Sequence, residues 1–169
     1  TITVPSCWQM KGWDTPLYIN VNHIFEDNPP FIRIQKTYTS AVDPNPTGSY
    51  RRDFILPTGW EKKRVYLHFD GLYSGAYVWI NGRYIGYTQG GNNDAEFDIS
   101  AAVRAGQNNV SIQVVRWTDA SYLEGQDMFH MSGLHRDVYL YATPRTSIRD
   151  HYITSKLHPE SDYTTGEIS

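Results

Sequence analysis

The sequence of 169 residues holds a single cysteine, Cys7. No disulfide can therefore close within it, and no cysteine-based zinc site can form. Long hydrophobic runs are missing as well. No stretch approaches the roughly 18 apolar residues that a membrane-spanning helix needs. Positive charge is scarce: Lys and Arg number 15 against 18 Asp and Glu, for a net charge of −3. The one basic cluster, Lys62-Lys63-Arg64, reads as a solvated strand edge, which argues against a nucleic-acid partner. No sustained helical period, internal repeat or low-complexity tract is present. No signal-peptide pattern opens at Thr1. The absence of an initiator methionine and the abrupt Ile168-Ser169 end give the expectation of a segment cut from a longer chain. A natural stop codon after Ser169 would refute it.

What is present is aromatic. Tyr 13 and Trp 5 raise the aromatic share to 14%, within 40% hydrophobic residues. That is enough for one domain core and suits a sheet-rich protein. Residues 1–33 are punctuated by Pro5, Gly12, Pro16, Pro29 and Pro30, which stop any helix. Trp8, Trp13, Tyr18, Ile19 and Phe25 are expected to lay this segment across a sheet. Residues 41–50 form a loop stiffened by Pro44 and Pro46, which holds Asn45 in a defined direction. Strands then follow. Tyr50, Arg52, Phe54 and Leu56 alternate, and Val65, Leu67 and Phe69 alternate with Tyr66 and His68 as a half-buried strand. Asn81-Gly82 supplies two φ > 0 residues for a type I′ hairpin, which pairs Ile80 with Arg83, Trp79 with Tyr84 and Val78 with Ile85. Residues 101–106 read as a turn or two of helix capped by Gly106. Asn109 to Val115 and Asp137 to Tyr141 read as strands. Pro144 marks a boundary, after which 148–154 reads as a strand and 161–166 as a turn. Many short strands without a helical period imply an all-β sandwich.

The longest connection runs from Arg116 to Arg136. A loop of that length in a compact domain is functional or disordered. Trp117, Tyr122, Leu123, Met128, Phe129 and Met131 favour burial and hence order. Asp119, Glu124 and Asp127 then sit among aromatic rings. That combination suits a sugar, whose CH face stacks while its hydroxyls bond. Taken alone, Asp127 and Glu124 read as a locally bonded pair, with Glu124 reaching an arginine such as Arg136, and Asn45 reads as a turn residue. His130 and His135, five apart with no cysteine nearby, do not make a metal site. Trp13, Trp60 and Trp79 read as packing residues. Ser132-Gly133 lacks the Gly-x-Ser-x-Gly of a nucleophile elbow.

Four stretches together resemble the N-terminal sugar-binding domain of family 2 glycoside hydrolases, bacterial β-galactosidases in particular. They are Val4-Pro5-Ser6-Cys7-Trp8-Gln9-Met10, Asn45-Pro46-Thr47-Gly48-Ser49-Tyr50, Trp79-Ile80-Asn81-Gly82-Arg83-Tyr84-Ile85-Gly86-Tyr87, and the 116–138 region with its Glu124-Gly125-Gln126-Asp127-Met128 core. The resemblance implies a jelly-roll β-sandwich over 1–143 and the linker and first strands of an immunoglobulin-like domain over 144–169. It implies that Asn45 and Asp127 reach a galactose pocket completed by a TIM barrel, and that Asp127 also holds a sodium ion. Gln89 and Asp119 match positions that help bind magnesium in some relatives, whose other ligands would precede Thr1. The reaction implied is retaining hydrolysis of a β-galactoside by two glutamates about 5–5.5 Å apart. No motif here matches theirs, so no catalytic residue is expected in this chain. The implied partners are the sugar, the other domains of the same chain and further copies of the enzyme. The alternatives are a free-standing carbohydrate-binding module, a purely structural sandwich, or the same domain of a β-glucuronidase or β-mannosidase.

Overall fold

The computed structural model describes residues 1–19, 26, 28–33 and 45–169. Phe25 and the 41–44 part of the proline-rich loop lie outside the described residues. In chain order the strands are β1 (Leu17–Ile19), β2 (Thr47–Leu56), β3 (Arg64–Phe69), β4 (Gly75–Ile80), β5 (Arg83–Gln89), β6 (Ala95–Asp98), β7 (Gly106–Val115), β8 (Met128–His130), β9 (Val138–Thr143), β10 (Ser155–Leu157) and β11 (Gly166–Ile168). A single turn of helix, α1 (Ser121–Glu124), precedes β8.

Two antiparallel sheets carry the body, ordered β2-β7-β4-β5 and β6-β3-β9. Every connection among these seven strands except the β4–β5 hairpin crosses from one sheet to the other, the winding expected of a jelly roll. The all-β sandwich reading therefore holds. Alternation builds the interior, because successive strand residues point to opposite faces. Val65, Leu67 and Phe69 of β3 meet Ala76, Val78 and Ile80 of β4 and Ile112 and Val114 of β7 in one cluster. Val65, Phe69, Ala76, Val78, Ile80 and Val114 are wholly buried, each Val, Ile or Phe among them contributing roughly 1.5–3 kcal/mol.

Five local expectations need correction. The Asn81-Gly82 turn forms with φ of 52° and 79°, and Ile80 and Trp79 take their expected partners. Val78, however, pairs with Gly86 rather than Ile85. A bulge inserts Ile85, which packs on the core. It also seats Gly86 beneath Phe97, where a Cβ would lie 2.8 Å from the ring. Residues 101–106 form turns, not a helix, and Gly106 opens β7. The buried Asn108 accepts from Arg104 N (2.9 Å) and donates to Arg104 O (2.7 Å), engaging backbone groups that a helix would use. Strand β3 is not half-buried. Its outer face is covered by Tyr141 stacked on Tyr66 at 5.0 Å and Tyr139 stacked on His68 at 4.9 Å. Residues 148–154 are not a strand; the strands of the tail are β10 and β11, paired only with each other and fully exposed. Trp13 is 74% exposed, so within this chain it is not a packing residue.

The outward face of the larger sheet carries two rows across its strands. Ser49, Gln113, Tyr77 and Tyr87 form one, and Arg51, Ser111, Trp79 and Tyr84 the other. An open hollow of about 330 Å³ lies there between Arg51, Trp79 and Gln113.

Candidate functional site

The site is built at the end of the sandwich where β7 stops and β2 starts. Beyond the last ladder pair, Thr47 with Val115, the pairing continues through Pro46 O, which accepts from Arg116 N at 3.0 Å. The next rung uses a side chain. Asn45 Nδ2 donates to Trp117 O and Trp117 N donates to Asn45 Oδ1, both at 2.9 Å. The Asn45 amide is directed at the backbone of Trp117. Gly48 lies beneath the indole of Trp8, where a Cβ would come within 2.6 Å of the ring. The spacing of Asn45-Pro46-Thr47-Gly48 thus has a packing reason: one residue clamps the long loop and another admits an aromatic ring. Asn45→Ala is expected to cost about 2 kcal/mol by orphaning two groups of a buried residue. Hydrogen exchange at the Trp117 amide should quicken about 10- to 30-fold; an unchanged rate would show that the clamp contributes nothing.

Trp117 is buried and packs with Leu17, Ile32 and Tyr122. Its ring lies 5.6 Å from that of His130. Strand β8 pairs with β1, matching Leu17 to His130, Tyr18 to Phe129 and Ile19 to Met128. Asp127 leads into β8 and is exposed. Its Oδ1 accepts the hydroxyl proton of Tyr18. That bond, ahead of burial and charge, raises the Tyr18 hydroxyl above its ordinary value. The carboxylate points to solvent, not into the sandwich. Asn45 is linked through Trp117 and its ring contact with His130 to β8, the strand that Asp127 precedes. The hollow described above touches neither.

Beneath this loop lies a polar framework that sequence spacing did not reveal. Arg116 is buried and its Nη1 meets Asp14 Oδ2 at 2.5 Å. Its Nη2 donates to the carbonyls of Thr15 (3.1 Å) and His130 (3.2 Å), and its guanidinium lies 5.1 Å from the Trp117 ring centre. Burial pulls the Arg116 value down, and Asp14 opposes it. Asp14 also accepts from Trp8 Nε1 and Gln9 Nε2, both at 3.2 Å. Gln9 Oε1 accepts from Ser132 N at 2.9 Å. The Trp8-Gln9 stretch is thereby tied to both ends of the long loop.

Leu123 and Phe129 are 88% and 58% exposed, against the expectation that loop hydrophobics would be buried. Glu124 does not pair with Arg136. Its Oε2 accepts from Gly91 N at 3.2 Å, while Arg136 donates to the carbonyls of Asp70 and Asn92. Gln89 Oε1 accepts from Tyr87 at 2.8 Å, and Asp119 Oδ1 accepts from Ala120 N at 3.0 Å. Burial, then Tyr77, Asp119 and Glu124, push the Tyr87 hydroxyl to about 12. Gln89 and Asp119 thus both act on Tyr87. Their oxygens are the hard donors magnesium takes, but two fall short of its octahedral shell. Among the described residues no group of three or more His, Cys, Asp or Glu could hold a metal.

The model of the glycosyl hydrolases family 2 sugar-binding domain matches residues 1–144. The β-galactosidase of Psychromonas ingrahamii is 46% identical over 156 residues, covering 92% of this chain and 14% of that enzyme. The β-galactosidase of Priestia megaterium is 42% identical over 173 residues, covering 100% of this chain and 16% of that enzyme. The chain thus spans about a seventh of the length of these relatives. Among solved structures, Bacteroides uniformis β-glucuronidase superposes with a TM-score of 0.54 at 31% identity, over 58% of this chain and 12% of that one. A β-glucuronidase from an uncultured Clostridium reaches 0.59 at 28% identity, over 65% and 21%.

Proposed function

This chain belongs to the family 2 glycosyl hydrolases as their sugar-binding domain, and from that premise we propose that it serves in a β-galactosidase without itself cutting the glycosidic bond. The observation that carries the reading is the Asp127 carboxylate. It is exposed at the end of the sandwich and held there by Tyr18, and the hollow on the larger sheet does not reach it. Such a group suits a wall contributed to a cavity whose floor belongs to another domain. Asp127 would accept a hydroxyl of the terminal galactose and lend an oxygen to a sodium ion, two tasks an ionised carboxylate can share. Asn45 would contribute by holding the loop and by any remaining valence of its amide. Retaining hydrolysis needs two glutamates about 5–5.5 Å apart, placed here in a barrel domain beyond these residues.

Residues 144–169 are read as a linker and the first strands of an immunoglobulin-like domain. Ile148, Tyr152, Ile153, Leu157 and Ile168 are all exposed there, a set that a domain of its own would bury. Gln89 and Asp119 are proposed as part of a magnesium site that needs ligands from elsewhere. The galactosidase reading is preferred to a glucuronidase because the β-galactosidase likeness is both higher and longer: 42–46% over 92–100% of the chain.

Calorimetry distinguishes this reading from a free-standing module. The 169-residue chain should show no heat of galactose binding in the millimolar range, whereas the full-length enzyme should bind. Tight binding by the chain alone would overturn the proposal in favour of a module.

A further inference from the structure

Tyr18 was expected only to lay the first segment across a sheet. Its surroundings give it another task. Register places Tyr18 opposite Phe129, and Asp127 stands at the bend just before β8. The Tyr18 and Phe129 rings meet edge to face at 5.4 Å between centres. That contact sets the direction of the phenol without burying it, since Tyr18 remains 52% exposed. The hydroxyl then donates to Asp127 Oδ1. Among the described residues Oδ2 accepts no hydrogen bond, and Asp127 is an exposed residue. An aspartate on an exposed loop would otherwise distribute over its rotamers, and a ligand would have to order it on binding.

We propose that Tyr18 is a positioning residue for the sugar site: its hydroxyl pins one oxygen of Asp127 so that the other is presented in a fixed direction to a galactose hydroxyl. The inference rests on the function proposed above. It adds that the strand pair β1–β8, and not the long loop alone, aims the carboxylate.

The test uses the full-length enzyme with three variants, Tyr18→Phe, Asp127→Asn and the pair combined. Galactose, which is not turned over, is titrated by calorimetry, and a β-galactoside supplies kcat and KM. Tyr18→Phe keeps the ring contact and loses only the hydroxyl. It should weaken galactose binding about 5- to 10-fold, the low end for a hydrogen bond to a charged group, with an unchanged unfolding temperature. In the Asp127→Asn background the same substitution should weaken binding much less, because the carboxylate it serves is gone. If Tyr18→Phe binds galactose normally while Asp127→Asn binds poorly, the positioning role is wrong and the site reading survives. Equal weakening in both backgrounds also overturns the positioning role, as it assigns Tyr18 to packing. If Asp127→Asn binds normally, the site reading itself fails.

Discussion

Asp127→Ala in the full-length enzyme is expected to lower kcat/KM for a β-galactoside about 10²- to 10³-fold, with the unfolding temperature unchanged. The size follows from the chemistry. A preorganised polar group in a closed site is worth about 3–4 kcal/mol in the transition state. A pocket built to bond a hydroxyl also leaves its remaining groups unpaired when one member is cut away. Stability should not suffer, because Asp127 is exposed and its one partner among the described residues, Tyr18, can turn to water. Asp127→Asn separates charge from shape. It keeps an acceptor oxygen for the sugar hydroxyl but loses the negative charge a cation needs, so raising sodium should not restore it. A near-normal rate for Asp127→Ala would mean that the domain is a scaffold and that the carboxylate touches nothing that matters.

Asp14→Ala is expected to destabilise the 169-residue chain by about 3–5 kcal/mol, read as a shift in the urea midpoint at constant slope. The substitution strands the Arg116 guanidinium, whose side chain is only 7% exposed. It also removes the acceptor shared by Trp8 and Gln9, and with it the tie between the first segment and the loop. Replacing both charged partners, as Asp14→Leu with Arg116→Met, should recover most of the loss, because a buried pair repays little more than its own desolvation. A loss below about 1 kcal/mol for Asp14→Ala would class the contact with exposed ion pairs. That outcome would leave the order of the long loop to Asn45 and Trp117 alone.

Some of the architecture was legible because it is local. The Asn81-Gly82 dipeptide allowed the hairpin and its first two pairs to be read, since a type I′ turn demands those φ values. Asn109 to Val115 read as a strand, and they lie in β7. The bulge at Ile85 was not legible, because it answers to Phe97 on a strand of the other sheet. Residues 101–106 misled because their propensity is helical while a side chain several residues on, Asn108, takes the backbone groups. The 116–136 connection, read as a loop, contains α1 and β8. Its exposed Leu123 and Phe129 were misjudged, since hydrophobicity alone does not say whether a surface is to be covered by the same chain or by another domain.

The candidate site divides along the same line. Composition, alternation and turn chemistry determined the all-β class and the lack of an internal disulfide or cysteine-zinc site, while Asn45 and Asp127 became residues of interest only through the family resemblance. Only the tertiary structure decided what those residues touch. Asp14 and Arg116 are 102 positions apart, and Tyr18 and Asp127 are 109. No period or spacing rule reaches that far, because such pairs exist only after two sheets have closed on a common core and brought the ends of distant strands together.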